Sequence, residues 1–218
     1  MAASLPPGSR VADVGAGDAP YRELFAHTRY TTIDWEHSVH PGARASDIVS
    51  PADAIAAPDG TFDAVVCMQV LEHVPDPGRV LAEFHRILAP GGSVHLTVPL
   101  VWELHELPHD YYRYTAPALE FLLGAAGFGD IEVEARNDCF TTVAQLLRNL
   151  HWTMGRAPDG LDGQREEAGA VLVELADMVA ALAPLDVNRI FPLGYSASAR
   201  KPKALKRRPP ASAKARRG

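Results

Sequence analysis

The chain has 218 residues, of which 47% are hydrophobic and 22% charged, a composition typical of one soluble globular domain. No apolar run is long enough to cross a bilayer, and the first residues lack the basic and apolar stretches of a secretory signal, so we predict a cytoplasmic protein without a membrane span. The net charge of -6 is uneven, because nine of the 21 Lys and Arg residues lie within residues 200–218, which contain no acid.

This charge asymmetry predicts the domain organisation. Residues 1–201 are expected to form a single domain whose acidic surface repels nucleic acid. Residues 202–218 are basic, rich in proline and poor in apolar residues, so we predict a disordered tail. Nucleic-acid binding is therefore not expected of the body of the protein, although the tail leaves it open.

The first predicted element is a short buried strand over residues 11–14 that ends in a glycine turn. Gly15 and Gly17 allow backbone angles and close approach that a Cβ would block. Pro20 suits the first turn of a helix, which we predict over residues 21–28. Free N–H groups at a helix start attract polar ligand groups, so this segment is predicted to bind a nucleotide-like ligand, with a purely structural turn as the alternative.

Two acidic residues accompany the next predicted strands. Asp34 ends a strand over residues 30–34, about 20 residues after the glycine turn, where a carboxylate can accept hydrogen bonds from both hydroxyls of a ribose. A turn cap is the alternative for Asp34. Asp47 lies in a weaker strand over residues 45–49 and is either a contact for an adenine amino group or a plain edge residue.

Strands and helices alternate through the rest of the chain. Asp76 and Pro77 are typical of a helix start, and Thr115 is typical of another. Further strands are predicted over residues 61–68, 93–98, 130–135 and 193–200, and two late helices carry apolar positions over residues 143–150 and 171–182. This alternation with short connections predicts the α/β class with a three-layer, doubly wound sheet.

Residues 99–114 form an aromatic and His-rich loop after the carboxyl end of a strand, the usual place for ligands in this class. His105 and His109 match the letter pattern of a zinc-protease helix, but Pro108 would cost such a helix about 3 kcal/mol. We therefore predict no metal site. The two histidines are interpreted as substrate contacts, one of them a general base near neutral pH.

The glycine turn also distinguishes between cofactor classes. A dinucleotide site needs a third glycine where this chain has Pro20, and Asp18 places a negative charge where a pyrophosphate would lie. Both features favour a ligand without phosphates that carries a cationic group, such as S-adenosylmethionine. An NAD(P)-dependent oxidoreductase is the less favoured alternative.

Residues 13–17, 62–74 and 86–92, together with Asp34 and Asp47, resemble class I S-adenosylmethionine-dependent methyltransferases, most closely the small-molecule branch called methyltransferase type 11. The resemblance covers about residues 10–135, and residues 194–201 resemble the final strand of that family. It implies a Rossmann-like methyltransferase fold with a mostly parallel seven-stranded sheet. A small helical cap is then expected from about residues 99–114 and 139–185.

The same resemblance implies a set of site residues. The cofactor residues would be Asp13, Gly15, Ala16, Gly17, Asp34, Trp35, Asp47, Met68 and Gln69. Of these, Asp13, Gly15 and Gly17 would surround the methionine end, and Gln69 would lie near the sulfonium. The substrate residues would be His73, Trp102, Tyr111, Tyr112 and Arg113. Arg113 is either a partner for a substrate carboxylate or phosphate, or one half of a structural ion pair.

The predicted activity is methyl transfer from S-adenosylmethionine to an oxygen or nitrogen of a small molecule, such as a sugar, a lipid-like compound or a secondary metabolite. If the nucleophile is a hydroxyl, His105 or His109 would accept its proton. A nucleic-acid or protein methyltransferase guided by the tail, and a non-catalytic S-adenosylmethionine-binding protein, are the alternatives. The protein is expected to be a monomer or a homodimer.

Overall fold

The computed structural model describes residues 2–156 and 162–203. Its strands are β1 (Arg10–Val14), β2 (Arg29–Asp34), β3 (Ile48–Val49), β4 (Phe62–Met68), β5 (Leu88–Pro99), β6 (Gly129–Arg136) and β7 (Gly194–Arg200). They form one seven-stranded sheet in the order β3-β2-β1-β4-β5-β7-β6. The first five strands pair in parallel, and β7 runs antiparallel between β5 and β6. The predicted α/β class and mostly parallel sheet are confirmed.

The helices are α1 (Pro77–Ile87), α2 (Ala116–Ala125), α3 (Cys139–Gly155) and α4 (Asp162–Ala180). Two of them begin where the sequence predicts a cap. The Asp76 carboxylate accepts a hydrogen bond from the Arg79 N–H at the start of α1, and the Thr115 hydroxyl accepts one from the Ala118 N–H at the start of α2. These bonds satisfy donors that have no partner within the helix.

The predicted helix over residues 21–28 is wrong, because only a short 3-10 turn, Arg22–Phe25, forms there. Residues 15–28 are the whole connection between β1 and β2. A parallel crossover needs about a dozen residues, so the glycine turn and the return path leave room for a single helical turn. Any ligand at the glycine turn is therefore bound by loop atoms, without the start of a long helix.

The main hydrophobic core lies between the sheet and helices α1 and α2. Phe84 of α1 and Leu119 and Leu123 of α2 are completely buried against this face of the sheet. The opposite face of β1 and β4 is covered more thinly, with Phe25 packed on Val11 and neighbouring strand residues. Burial on both faces explains why these strands are nearly continuous apolar runs.

The late helices α3 and α4 pack chiefly on each other. They coincide with the second predicted cap segment, residues 139–185, and their role as a cap stays a prediction. None of the described helices combines the length and apolar character needed to span a bilayer. The predicted tail lies, from residue 204 onward, outside the described residues, and the single-domain assignment of residues 1–201 stays a prediction.

Candidate functional site

A cavity of about 260 Å³ lies at the carboxyl ends of β1, β2 and β4. It is lined by residues from the segments 14–15, 34–39, 50–53, 70–75 and 106–111. The order of the strands reverses between β1 and β4, and ligands of doubly wound sheets bind at such a switch point. Three of the nine predicted cofactor residues, Gly15, Asp34 and Trp35, line the main cavity, and cofactor binding there stays a prediction.

The glycine turn forms one wall of this cavity. Gly15 has a φ of +74°, and a Cβ on Gly15 would overlap the Val70 side chain. Gly17 also has a positive φ, and its N–H donates a 2.7 Å hydrogen bond to Asp34 Oδ2. Glycine is needed at position 15 for both backbone angle and close approach.

Asp34 lies at the end of β2, is buried and lines the main cavity. Its second oxygen, Oδ1, accepts a 2.8 Å hydrogen bond from the N–H of Trp35, which also lines the cavity. A carboxylate oxygen has two lone pairs, so each oxygen of Asp34 can still accept a hydroxyl hydrogen from a ligand. The two backbone N–H groups hold the carboxylate in a fixed orientation toward the cavity.

Three other predicted cofactor residues, Asp13, Ala16 and Met68, are not among the residues that line the main cavity. Asp13 is buried in β1, and burial raises the pKa of its carboxyl to about 6, although a hydrogen bond from the Tyr30 hydroxyl opposes this rise. Ala16 is buried, and the Met68 sulfur accepts a hydrogen bond from the Thr97 hydroxyl. Their contacts with a cofactor stay predictions.

Asp47 lies just before β3 and is exposed. Its carboxylate accepts hydrogen bonds of 2.9 Å from both the N–H and the hydroxyl of Thr32, which hold the pKa of Asp47 below its usual value. These are the contacts of an edge residue, one of the two alternatives for Asp47. Instead Asp53, in the segment directly after β3, lines the main cavity. Sequence reasoning missed Asp53, although the strand-end rule that found Asp34 applies there too.

Gln69 follows β4 and adopts a φ of +58°, a left-handed conformation that is strained for a residue with a side chain. Its backbone N–H donates to the Thr97 carbonyl, and its side-chain amide donates to the Thr97 hydroxyl at 3.0 Å. Gln69 lines a second cavity of about 210 Å³ together with Trp102, Arg136 and Asn137. The next residue, Val70, lines the main cavity, so adjacent residues of one segment face the two cavities.

The loop over residues 99–114 contains no helix, as Pro108 led us to expect. His109 and Tyr111 line the main cavity, and the Tyr111 hydroxyl lies 3.2 Å from His109 Nδ1. The His109 ring meets the Trp35 ring edge to face, with centroids 5.4 Å apart. The structure thus places His109 beside the residue that follows Asp34, and His105 lines neither the main nor the second cavity.

Two predicted substrate residues, Tyr112 and Arg113, form hydrogen bonds with other groups of the protein. The Arg113 guanidinium forms two hydrogen bonds with Asp110, of 2.6 and 2.9 Å, and a further one with the Glu103 carbonyl. The Asp110 side chain is fully buried, and Arg113 holds its pKa far below the usual range. Of the two alternatives for Arg113, the structure therefore shows one half of a structural ion pair. The Tyr112 hydroxyl donates to the Pro75 carbonyl and likewise lies off the described cavities.

Glu72 is a residue that sequence reasoning missed. It lies in the 3-10 turn Leu71–His73 and is completely buried. Burial is the main cause that raises the pKa of its carboxyl to about 7, with Asp110 and Glu106 contributing and Arg113 opposing the rise. The only signal in the sequence is a charged residue inside the apolar segment that follows β4.

Comparison with known proteins gives a consistent set of matches. A family model described as a methyltransferase domain matches residues 1–133. A ubiquinone biosynthesis O-methyltransferase of Xanthomonas axonopodis pv. citri is 36% identical over 104 residues, which cover 42% of this chain and 44% of that protein. The enzyme of the same name from Thiobacillus denitrificans is 34% identical over 139 residues, covering 51% and 60%. The chain thus spans about half the length of these relatives.

Solved structures share the fold at low sequence identity. A phosphoethanolamine N-methyltransferase 2 of Haemonchus contortus, in complex with S-adenosyl-L-methionine, has a TM-score of 0.55 and 18% identity. The match covers 91% of this chain and 50% of that one. The [4+2]-cyclase SpnF has a TM-score of 0.58 and 23% identity, covering 91% and 77%. One fold therefore carries different reactions, and the likeness shows the fold alone.

Proposed function

Because the chain belongs to the class I S-adenosylmethionine-dependent methyltransferases, we propose that it transfers a methyl group from S-adenosylmethionine to an oxygen of a small molecule. The observation that carries the proposal is the oriented carboxylate of Asp34 beside the glycine turn, at the switch point of the sheet. The choice of oxygen rests on the curated relatives, which are named O-methyltransferases.

The main cavity suits this cofactor by its charge. Three of its lining residues are the acids Asp34, Asp53 and Glu106, and no Lys or Arg is among the described lining residues. Such a wall would repel a pyrophosphate and attract a cation, as Asp18 and Pro20 already indicate in the sequence. This argues against an NAD(P)-dependent oxidoreductase and favours S-adenosylmethionine, which is cationic at sulfur and carries an amino group.

The second cavity is our candidate for the acceptor. Consecutive residues, Gln69 and Val70, line the second and the main cavity, and the volume of about 210 Å³ suits a small molecule or part of one. Trp102 offers an aromatic surface, while Gln69, Asn137 and Arg136 offer hydrogen-bond donors to acceptor oxygens. These side chains would orient an oxygenated ring or chain toward the first cavity.

S-adenosylmethionine, when bound, supplies an electrophilic methyl group on a positively charged sulfur. The contribution of the protein is to hold the acceptor oxygen in line with that methyl group and to exclude water, and such alignment removes several kcal/mol of the barrier. The hydroxyl proton must leave as the carbon–oxygen bond forms. His105 and His109 stay the predicted bases, although neither is among the described residues that line the second cavity.

Cofactor binding tests the first half of the proposal. Calorimetric titration with S-adenosylmethionine should give one site, and Asp34→Ala should weaken binding by about 1–3 kcal/mol because it removes the acceptor of the ribose hydroxyls. Asp59→Asn, an exposed acid paired with Arg86 outside the cavity, is the matched control and should bind normally. Unchanged affinity in Asp34→Ala would show that the cofactor lies elsewhere.

Turnover tests the second half. An acceptor screen read by release of S-adenosylhomocysteine should identify a hydroxylated small molecule, and Trp102→Ala should raise KM for it more than it lowers kcat. A base at position 109 would show as a lower kcat for His109→Gln at neutral pH.

Tight cofactor binding with no turnover on any acceptor would identify a binding protein instead, and stabilisation by NADH alone would reject the cofactor assignment.

A further inference from the structure

We propose that Glu72, His73 and His105 form a binding site for a divalent transition-metal ion of the Zn²⁺ type, beside the main cavity. One ligand atom from each of these residues, a carboxylate oxygen and two ring nitrogens, lies within 4.8 Å of the other two. The proposal concerns metal binding and does not depend on methyl transfer.

Three buried polar atoms in this cluster have no hydrogen-bond partner among the described residues. Glu72 is completely buried, and neither of its carboxylate oxygens has a hydrogen-bond partner among the described residues. The Nε2 atom of His73 is likewise buried without a partner in the described part of the chain. Nearly all buried polar atoms in proteins have a hydrogen-bond partner. Three unpartnered atoms in one place therefore indicate a group that binds them.

The two histidine rings are oriented by acceptors at their Nδ1 atoms. His73 Nδ1 lies 2.7 Å from the His109 carbonyl, which can only accept, so Nδ1 carries the hydrogen and Nε2 of the neutral ring carries a lone pair. His105 Nδ1 lies 3.2 Å from the Glu103 carbonyl and 3.4 Å from Asp110 Oδ2, both acceptors. Metal-binding histidines are held in this way, with the second nitrogen donating to a carbonyl or carboxylate.

The carboxylates around the two histidines favour a cation. Glu106 Oε2 lies 3.9 Å from His73 Nε2, and Asp110 Oδ2 lies 3.4 Å from His105 Nδ1. Arg113 is already held by Asp110. A cation accepts a lone pair from each of the three unpartnered atoms and offsets the negative charge of the carboxylates.

The donor set selects the kind of metal. Two imidazoles and one carboxylate suit Zn²⁺ and its neighbours Co²⁺, Ni²⁺ and Fe²⁺, whereas Mg²⁺ and Ca²⁺ prefer oxygen alone. Glu106 Oε2 lies 3.9 Å from His73 Nε2 and is a candidate fourth ligand, although Glu106 is not one of the three clustered residues. Zinc bonds of about 2.0–2.2 Å require the donors to move closer. His105 can move because it lies on the loop and its side chain is 28% exposed.

This site differs from the zinc-protease pattern that the sequence excluded. That pattern needs His105 and His109 together on one helix, whereas here His105 meets two residues from the turn after β4. A metal ion would tie the loop over residues 99–114 to this turn. Because His73 and Glu106 also line the main cavity, a remaining coordination position would be available to an oxygen ligand there.

The test is metal titration of the full chain after treatment with a chelator. ZnCl₂ followed by calorimetry, and CoCl₂ followed by visible absorption, should each give one equivalent bound. His105→Ala, whose side chain is on the surface loop, and Glu72→Gln should weaken Zn²⁺ binding at least about tenfold, the smallest loss that even an outer partner of a metal site causes. His27→Ala, an exposed histidine, is the matched control and should bind like the wild type.

Circular dichroism and thermal melting establish that each variant is folded before titration. If Glu72→Gln does not fold, His105→Ala together with His73→Gln decides the question. Binding that survives unchanged in folded His105→Ala, or that is absent from the wild type, would overturn the proposal. So would loss in His109→Ala with retention in Glu72→Gln, since that would indicate the pairing of His105 with His109.

Discussion

The two sides of the main cavity are built in different ways. The side formed by the ends of β1 and β2 consists of backbone geometry, a glycine turn whose Gly17 N–H orients Asp34. The side formed by the loop over residues 99–114 consists of side chains, with Arg113 and Asp110 linking segments that have no regular structure. One side is rigid because of its strands, and the other depends on a few polar contacts.

This difference predicts how substitutions on each side should act. A change in the loop should act through the loss of a single buried contact, which strands or helices cannot replace. A change at the strand ends, such as at Gly15, should act through steric fit. A change within β1, at the buried Asp13, should act through the charge of its carboxyl. The following predictions, in order of decreasing expected effect, test whether the two sides differ in this way.

The largest effect is expected from Arg113→Met. It would leave the Asp110 carboxylate, whose side chain is fully buried, without its charged partner, and we expect the free energy of unfolding to fall by about 4 kcal/mol. Urea denaturation followed by circular dichroism measures this. The matched control is Arg10→Met, which breaks a pair with Asp63 of similar distance whose side chains are about 40% exposed. That loss should be about 1 kcal/mol or less, and equal losses would contradict the importance of burial in the loop.

A smaller effect is expected from Gly15→Ala. The new Cβ would overlap Val70 in a left-handed backbone conformation, so we expect a loss of about 3 kcal/mol in unfolding free energy together with weaker cofactor binding. Adding Val70→Ala should restore the part due to overlap. Gly17→Ala, whose Cβ would come no closer than 3.3 Å to His40, should cost less. A milder effect at position 15 than at position 17 would show that the turn adapts.

The smallest effect on stability is expected from the ionisation of Asp13 as the pH rises. Its folded pKa of about 6 exceeds the ordinary value of 3.8, because burial disfavours the charged form. The native state therefore holds a proton that the unfolded state releases, and the contribution of Asp13 to stability is lost as pH rises from about 4 to 6. Asp13→Asn should gain about 2 kcal/mol relative to the wild type between pH 4 and pH 7.

Chemical denaturation of both proteins across this pH range measures the difference. The Tyr30 hydroxyl, Asp34 and Arg22 are the groups that act on Asp13, and all three are present in both proteins, so the comparison isolates the Asp13 carboxyl. A difference between the two proteins that does not vary with pH would mean that Asp13 is ionised in the folded state throughout.

The sequence predicts the strand side of the site well. Alternation of strands and helices with short connections determines a parallel sheet, and the carboxyl end of each strand then determines where Asp34 and the glycine turn lie. The helix over residues 21–28 is wrong for a physical reason, because the length of the connection overrides local propensity.

The loop side is harder to predict. Glu72 and His105 are 33 positions apart, and no periodic pattern connects them. The role of Arg113 depends on Asp110 being buried, which follows from the path of an irregular loop. Pro108 does exclude a helix, but it does not specify the conformation that replaces it. Sequence reasoning therefore finds the right segment and leaves the partners of its side chains open.

The position of β7 has a consequence for how the protein is made. Among the described strands, β6 pairs only with β7, and β7 separates it from β5. When β6 leaves the ribosome, the strand that must join it to the sheet has not yet been synthesised. Residues 129–136 must wait, with an unpaired edge, until residues 194–200 emerge. Until then that edge is open to pairing with other chains.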